Sequence, residues 1–175
     1  MTLEVAGSLL VALLLVLLAR ALLRMQPRWP YFVLAWALVI CDVAFRHAAG
    51  VGVRIPGLEL TPARNPAGRD IADLAWPNRV VAFAFTGLAL WLYARPQRRS
   101  RLVGVGLALA VPAAALNLGE PFLRGYTTDY LVLGDLVLNV ADAGLAVGVA
   151  LACAGVVVAE VRAARAARRP EPHLR

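Results

Sequence analysis

Five long apolar runs, separated by arginine-bearing breaks, constrain this chain more than any other feature. They are "VAGSLLVALLLVLLARALL" (5–23), "YFVLAWALVICDVAFRHAAGV" (31–51), "VVAFAFTGLALWLYA" (80–94), "LVGVGLALAVPAAALNLG" (102–119) and "LVLNVADAGLAVGVALACAGVVVA" (136–159). A helix needs about 20 mostly apolar residues to cross the hydrocarbon core of a bilayer. Of 175 residues, 61% are hydrophobic and only 17% charged, and the mean hydropathy is +0.70. That balance does not describe a soluble domain of this size. The expectation is an all-α membrane protein of about five transmembrane helices with a small extracytoplasmic loop region. The first run is too long for a secretory h-region, and Glu4 stands where a signal peptide carries basic residues. It is therefore read as a membrane helix.

The net charge is +7, and all 18 basic residues are arginine. They do not form a nucleic-acid-binding stripe. They cluster in short breaks: Arg20, Arg24 and Arg28; Arg95, Arg98, Arg99 and Arg101; and Arg162, Arg165, Arg168, Arg169 and Arg175. In a five-helix chain these three segments share one side, which the positive-inside rule makes cytoplasmic. The N-terminus then lies outside with segments 50–78 and 120–135, and the C-terminus inside. Segment 50–78 is rich in Pro and Gly and predicts loop with short strands. Pro112 predicts a kink in the fourth run. Gly144 and Gly148 form a small-xxx-small pair that fits packing within one chain as well as dimerisation. Cys41 and Cys153 sit in apolar runs without metal-ligand spacing, and His47 and His173 are isolated, so no metal site is read.

Carboxylates are costly at membrane depth, and those that occur there are candidates for function. Asp42, Glu120, Asp129 and Asp142 all fall at or near the outward ends of apolar runs. Any one of them is equally well an interfacial residue or an ion-pair partner of Arg46 or Arg124. Four converging on one membrane face favour a site. Asp129 and Asp142 are 13 residues apart, which is roughly 20 Å along one straight helix. They meet only if the chain reverses, and Gly134-Asp135 suits a turn. The expectation places Asp129 just outside helix four and Asp142 about one turn into helix five. Two carboxylates in contact share a proton. The ionised member can take a proton from water while the protonated member polarises a scissile carbonyl. Asn117 and Asn139 flank the pair and suit hydrogen bonding to a carboxylate or a substrate carbonyl. Helix capping explains them equally well.

"NLGEPFLRGYTTDY" followed by "LNVADAGLAVG" resembles lipoprotein signal peptidase, or signal peptidase II. Asn117 and Leu118 match that family's Gly-Asn-Leu-x-Asp-Arg segment. Gly125 and Asp129-Tyr130 follow at the family's spacing. Asn139, Ala141, Asp142 and Gly148 match its Phe-Asn-x-Ala-Asp-Ser segment and the later Gly. Asp42 and Arg46 are similar to its Asp-x-x-x-Lys, and "LTPARNPAG" to its Asn-x-Gly-Ala-x-Phe region with Asn65 at the asparagine. Leu116, Glu120, Pro121 and Arg46 depart from the family's Gly, Asp, Arg and Lys, and the loop phenylalanine is missing after Asn65.

The resemblance covers roughly residues 31–159. It implies a four-helix peptidase core over 29–160, an added N-terminal helix with its cytoplasmic loop (1–28), and a basic cytoplasmic tail (161–175). It implies Asp129 and Asp142 as the catalytic pair, with Asn117, Asn139, Asp42, Asn65 and Glu120 orienting them or binding substrate. It also implies a multi-pass protein of the bacterial inner membrane, surrounded by lipid. This protein would cleave diacylglyceryl-modified prolipoproteins just before the lipidated cysteine, without metal or cofactor, and be open to globomycin, the family's type of inhibitor. Two other readings fit the same residues. One is a catalytically weak or inactive scaffold of the same fold that binds lipidated peptides. The other is an unrelated small transporter or assembly protein whose carboxylates handle protons or cations. The oligomeric state is not legible.

Overall fold

The computed structural model describes residues 3–26, 28–52, 59–65, 87–88, 91–92, 100–124, 126–133 and 136–168. For residues 3–12, 59, 65 and 121–124 it describes the backbone only. Among the described residues the chain is mostly helical. Helices α1 (Leu3–Leu23) and α2 (Trp29–Gly50) coincide with the first two apolar runs. Of the third run, Gly87, Leu88, Trp91 and Leu92 are described, and all four are helical. The fourth and fifth runs become α3 (Arg101–Arg124) and α4 (Val140–Ala167). Among the described residues, three spans are long and apolar enough to cross a membrane: Trp29–Gly50, Arg101–Glu120 and Val140–Ala167.

Local chemistry sets the helix ends. Pro30 opens α2, where its missing N–H costs nothing. Gly52, at φ +74°, closes α2 in the left-handed region as its N–H reaches Ala49 O at 3.2 Å. Ser100 caps α3, its Oγ accepting from Val103 N at 3.3 Å. Helix α3 passes through Pro112 unbroken and outruns its apolar stretch as far as Arg124. Helix α4 continues to Ala167, so the first part of the basic tail is helical.

Segment 50–78, expected as loop with short strands, supplies β1 (Glu59–Asn65), and segment 120–135, expected as outer loop, supplies β2 (Thr127–Leu133); with β3 (Leu136–Leu138) they form a small antiparallel sheet in the order β1-β2-β3. Ala63 pairs with Asp129, and Asn65 with Thr127. Between Leu60 and Ala63 the register slips, so Thr61 and Pro62 together face Tyr130. This bulge accommodates a proline that has no N–H for the ladder. Gly134 and Asp135 lie outside the described residues. The strands on either side, β2 and β3, run antiparallel and pair Leu133 with Leu136. Helix α4 begins four residues later than its apolar run because Leu136–Leu138 is spent on β3.

Helices α3 and α4 form the closest pair. A methyl group on Gly148 would lie 2.6 Å from Ala110 N, and one on Gly106 would lie 2.5 Å from Gly148 O. Gly144 faces Leu38 of α2 and Ala113 of α3. Both members of the Gly144/Gly148 pair are therefore used within the chain, where small residues let helix backbones approach. Helix α1 joins the same apolar core: Leu14, Leu18, Ala21 and Leu22 pack with Leu88, Leu92, Val103 and Leu107. The buried polar residues Asp42, Thr127, Asp129 and Asn139 gather elsewhere, where the C-terminal part of α2, the start of α4 and the sheet meet.

Candidate active site

A helix begins with N–H groups that have no partner inside it, and at α4 each early one is met by a side chain. Asn139 is the cap. Its Oδ1 accepts from Asp142 N at 2.7 Å, and its own N–H donates to Asp142 Oδ2 at 3.0 Å, which closes a capping box. Val140 N donates to Tyr130 Oη at 3.0 Å, and Ala141 N to Asp42 Oδ1 at 3.2 Å. The positive end of the α4 dipole thus faces the carboxylates of Asp142 and Asp42. The sequence segment Asn-Val-Ala-Asp draws acidic groups to this point because the helix start needs acceptors.

Asp129 and Asp142 converge on one residue, Asn139. Asn139 Nδ2 donates to Asp129 Oδ1 at 2.8 Å, while Asn139 N holds Asp142. Asp142 occupies the third residue of α4, and Asp129 lies in β2 rather than in free loop. Asn117, from α3, donates through Nδ2 to Asp142 Oδ1 at 2.7 Å. Its Oδ1 is buried and has no partner among the described residues. The pair is thus built from β2 and α4, bridged by Asn139 and braced by Asn117. Asp129 is 4% exposed, so its charge is largely withdrawn from solvent.

A second group lies behind the first. Asp42 is fully buried; its Oδ1 accepts from Tyr130 Oη at 2.8 Å, and its Oδ2 from Arg46 Nε at 2.9 Å. Arg46 Nη2, 2.8 Å from Asp42 Oδ2, adds an ion-pair contact rather than a well-directed hydrogen bond. Arg46 Nη1 pairs with Glu120 Oε2. Glu120 accepts from Thr128 N at 2.9 Å and from Thr128 Oγ1 at 2.6 Å. Tyr130 is fully buried and stacks on Phe45 with centroids 6.4 Å apart. Burial holds its phenol above the ordinary pKa, so it remains a neutral donor.

Six of the seven residues singled out from sequence therefore come together: Asp129, Asp142, Asn117, Asn139, Asp42 and Glu120. The side chain of Asn65 lies outside the described residues; its backbone pairs with Thr127 at the end of β1. Sequence reasoning assigned no role to Thr128, matched Tyr130 only to the family's spacing, and read Arg46 as a counter-ion and as the match to the family's Lys. The signal for Thr128 and Tyr130 was present, since both adjoin Asp129 in a segment whose Thr, Tyr, Leu and Val favour a strand. Among the described residues, no group of three or more His, Cys, Asp or Glu is arranged to hold a metal ion.

The family described as signal peptidase (SPase) II matches residues 34–158 of this chain. A bacterial membrane enzyme solved by the in meso method at 2.3 Å resolution superposes on 83% of this chain and 94% of its own, with a TM-score of 0.52 and 17% identity. A second such structure, at 1.9 Å, covers 73% and 92%, with a TM-score of 0.48 and 18% identity. At this identity the first likeness is one of fold. No curated protein sequence matches the chain.

Proposed function

The chain belongs to the signal peptidase II family, a family of bacterial membrane aspartic peptidases, and from that premise we propose that it removes signal peptides from diacylglyceryl-modified prolipoproteins, cutting just before the lipidated cysteine. The observation that carries this reading is the convergence of Asp129 and Asp142 on Asn139 at one end of a membrane bundle. One carboxylate of the pair is ionised and takes a proton from a water. The water oxygen bonds to the scissile carbonyl carbon as the other carboxylate gives its proton to the carbonyl oxygen. Collapse breaks the C–N bond, and the nitrogen leaves protonated as the free amine of the cysteine. The pair ends with the one proton it began with.

Asn139 and Asn117 orient the two carboxylates. Asp42 and Glu120 act behind the pair, and Asn65 is assigned to substrate contact from the sheet. A lipid-anchored substrate arrives by lateral diffusion in the bilayer. The site faces outward, with the N-terminus outside and the C-terminus in the cytoplasm, because the arginine clusters belong to the other helix ends. Family membership gives no support to an unrelated transporter. An inactive scaffold of the same fold differs by one experiment. The purified protein is incubated with a diacylated precursor peptide and with the same peptide lacking lipid. Cleavage before the cysteine of the lipidated peptide alone, suppressed by globomycin, is the expected result. Binding of the lipidated peptide without cleavage would establish the scaffold instead.

A further inference from the structure

We propose that Arg46 is a positioning residue that sets the spacing of the two aspartates by anchoring both of the segments that carry them; the inference rests on the peptidase reading above. Two chains of contacts leave its guanidinium. One runs through Glu120 to Thr128 N and Oγ1, and Thr128 immediately precedes Asp129. The other runs through Asp42 to Tyr130 Oη and to Ala141 N. Tyr130 immediately follows Asp129, and Ala141 immediately precedes Asp142. The residues beside both aspartates are thus tied to one cation on α2.

The burial of this network makes it a structural constraint rather than a surface ion pair. Side-chain exposure is 16% for Arg46, 0% for Asp42 and 9% for Glu120. Two carboxylates this withdrawn from water need a shared counter-charge. The flat, five-donor guanidinium supplies one that bridges both, where an ammonium is a single point. With the cation removed, Asp42 and Glu120 repel, and β2 and the first turn of α4 lose their common anchor. Asp129 and Asp142 then keep their chemistry but lose their relative placement. A displacement of about 1 Å at reacting groups costs on the order of a hundredfold in rate.

The test is steady-state cleavage of the diacylated precursor by the full chain, per folded molecule as judged by monodisperse elution in detergent. Arg46→Gln is expected to lower kcat by about ten- to a hundredfold, with KM held within about twofold. Arg46→Lys, which keeps the charge but cannot bridge both carboxylates, recovers only part of the loss. Tyr130→Phe removes one hydroxyl, keeps the stack on Phe45, and is expected to lower kcat in the same selective way; it serves if Arg46→Gln does not fold. Arg46→Gln combined with Glu120→Gln falls no further than the worse single variant, because both cut the same chain. A well-folded Arg46→Gln or Tyr130→Phe enzyme with wild-type kcat overturns the inference, as does a loss confined to KM, which would make Arg46 a substrate contact. Wild-type protein that cleaves nothing overturns the peptidase reading itself. Active wild type with unaffected variants overturns the positioning role alone.

Discussion

Asn139 serves two structures with one side chain. Its Oδ1 caps α4 and its Nδ2 holds Asp129. The two duties separate in Asn139→Ser, since serine caps nearly as well as asparagine but cannot reach Asp129 with a donor. Stability measured by thermal unfolding should change by less than about 1 kcal/mol. Cleavage should fall by about tenfold or more, the scale of a lost hydrogen bond to a charged group. Unchanged cleavage would remove Asn139 from the site and leave it a cap. The cap was legible in sequence, because Asn followed three residues later by Asp at the head of an apolar run is a recognisable start signal. The aspartates were legible because carboxylates stand out against lipid-compatible sequence. Tyr130 was not. Its partner Asp42 lies 88 residues away, and nothing local to either residue specifies that contact.

The α3–α4 contact shows which glycines hold elements together. At Gly148 an added methyl meets the backbone of α3, 2.6 Å from Ala110 N and 2.7 Å from Gly106 O. Backbone cannot yield, so the helices must part. At Gly144 the nearest atom is Leu38 Cδ1 at 2.6 Å, the far end of a flexible side chain. Gly148→Ala should therefore lower stability by about 1–3 kcal/mol, the scale of overpacking, and Gly144→Ala by clearly less. Thermal unfolding in one detergent compares them directly; equal losses would contradict this packing. The helices themselves were readable from run length, as α1 and α2 show. Their ends were less so. Hydropathy does not distinguish the apolar strand Leu136–Leu138 from the first turn of a helix, and it does not reveal that Arg46 and Thr128 satisfy Glu120 and let α3 run on to Arg124.

At the scale of the whole molecule, polarity follows from helix direction. Helix α2 runs from Arg28 towards Asp42 and Arg46, and α4 runs from Asp142 towards Arg162 and Arg165. The site and those arginines therefore occupy opposite ends of helices about 30–40 Å long. With the arginines inside, a fluorescent protein fused after Arg175 should fold and glow in cells, while a phosphatase that needs an oxidising compartment should stay inactive there. The reverse pattern would put the site on the wrong face for a substrate held at the outer surface. The membrane architecture was the most legible part of this protein, because the bilayer sets a length and a polarity that sequence must obey. The small sheet was not, since β1 and β2 pair across more than sixty residues and only the folded bundle brings them together.

The central claim is that Asp129 and Asp142 act as one catalytic unit. Its most direct test is cleavage of a diacylated precursor by membranes carrying wild type, Asp129→Asn or Asp142→Asn at equal levels of inserted protein. Each substitution is predicted to lower cleavage by about 10²–10⁴-fold or more, the scale of acid–base catalysis. Near-wild-type cleavage by either variant would contradict the account.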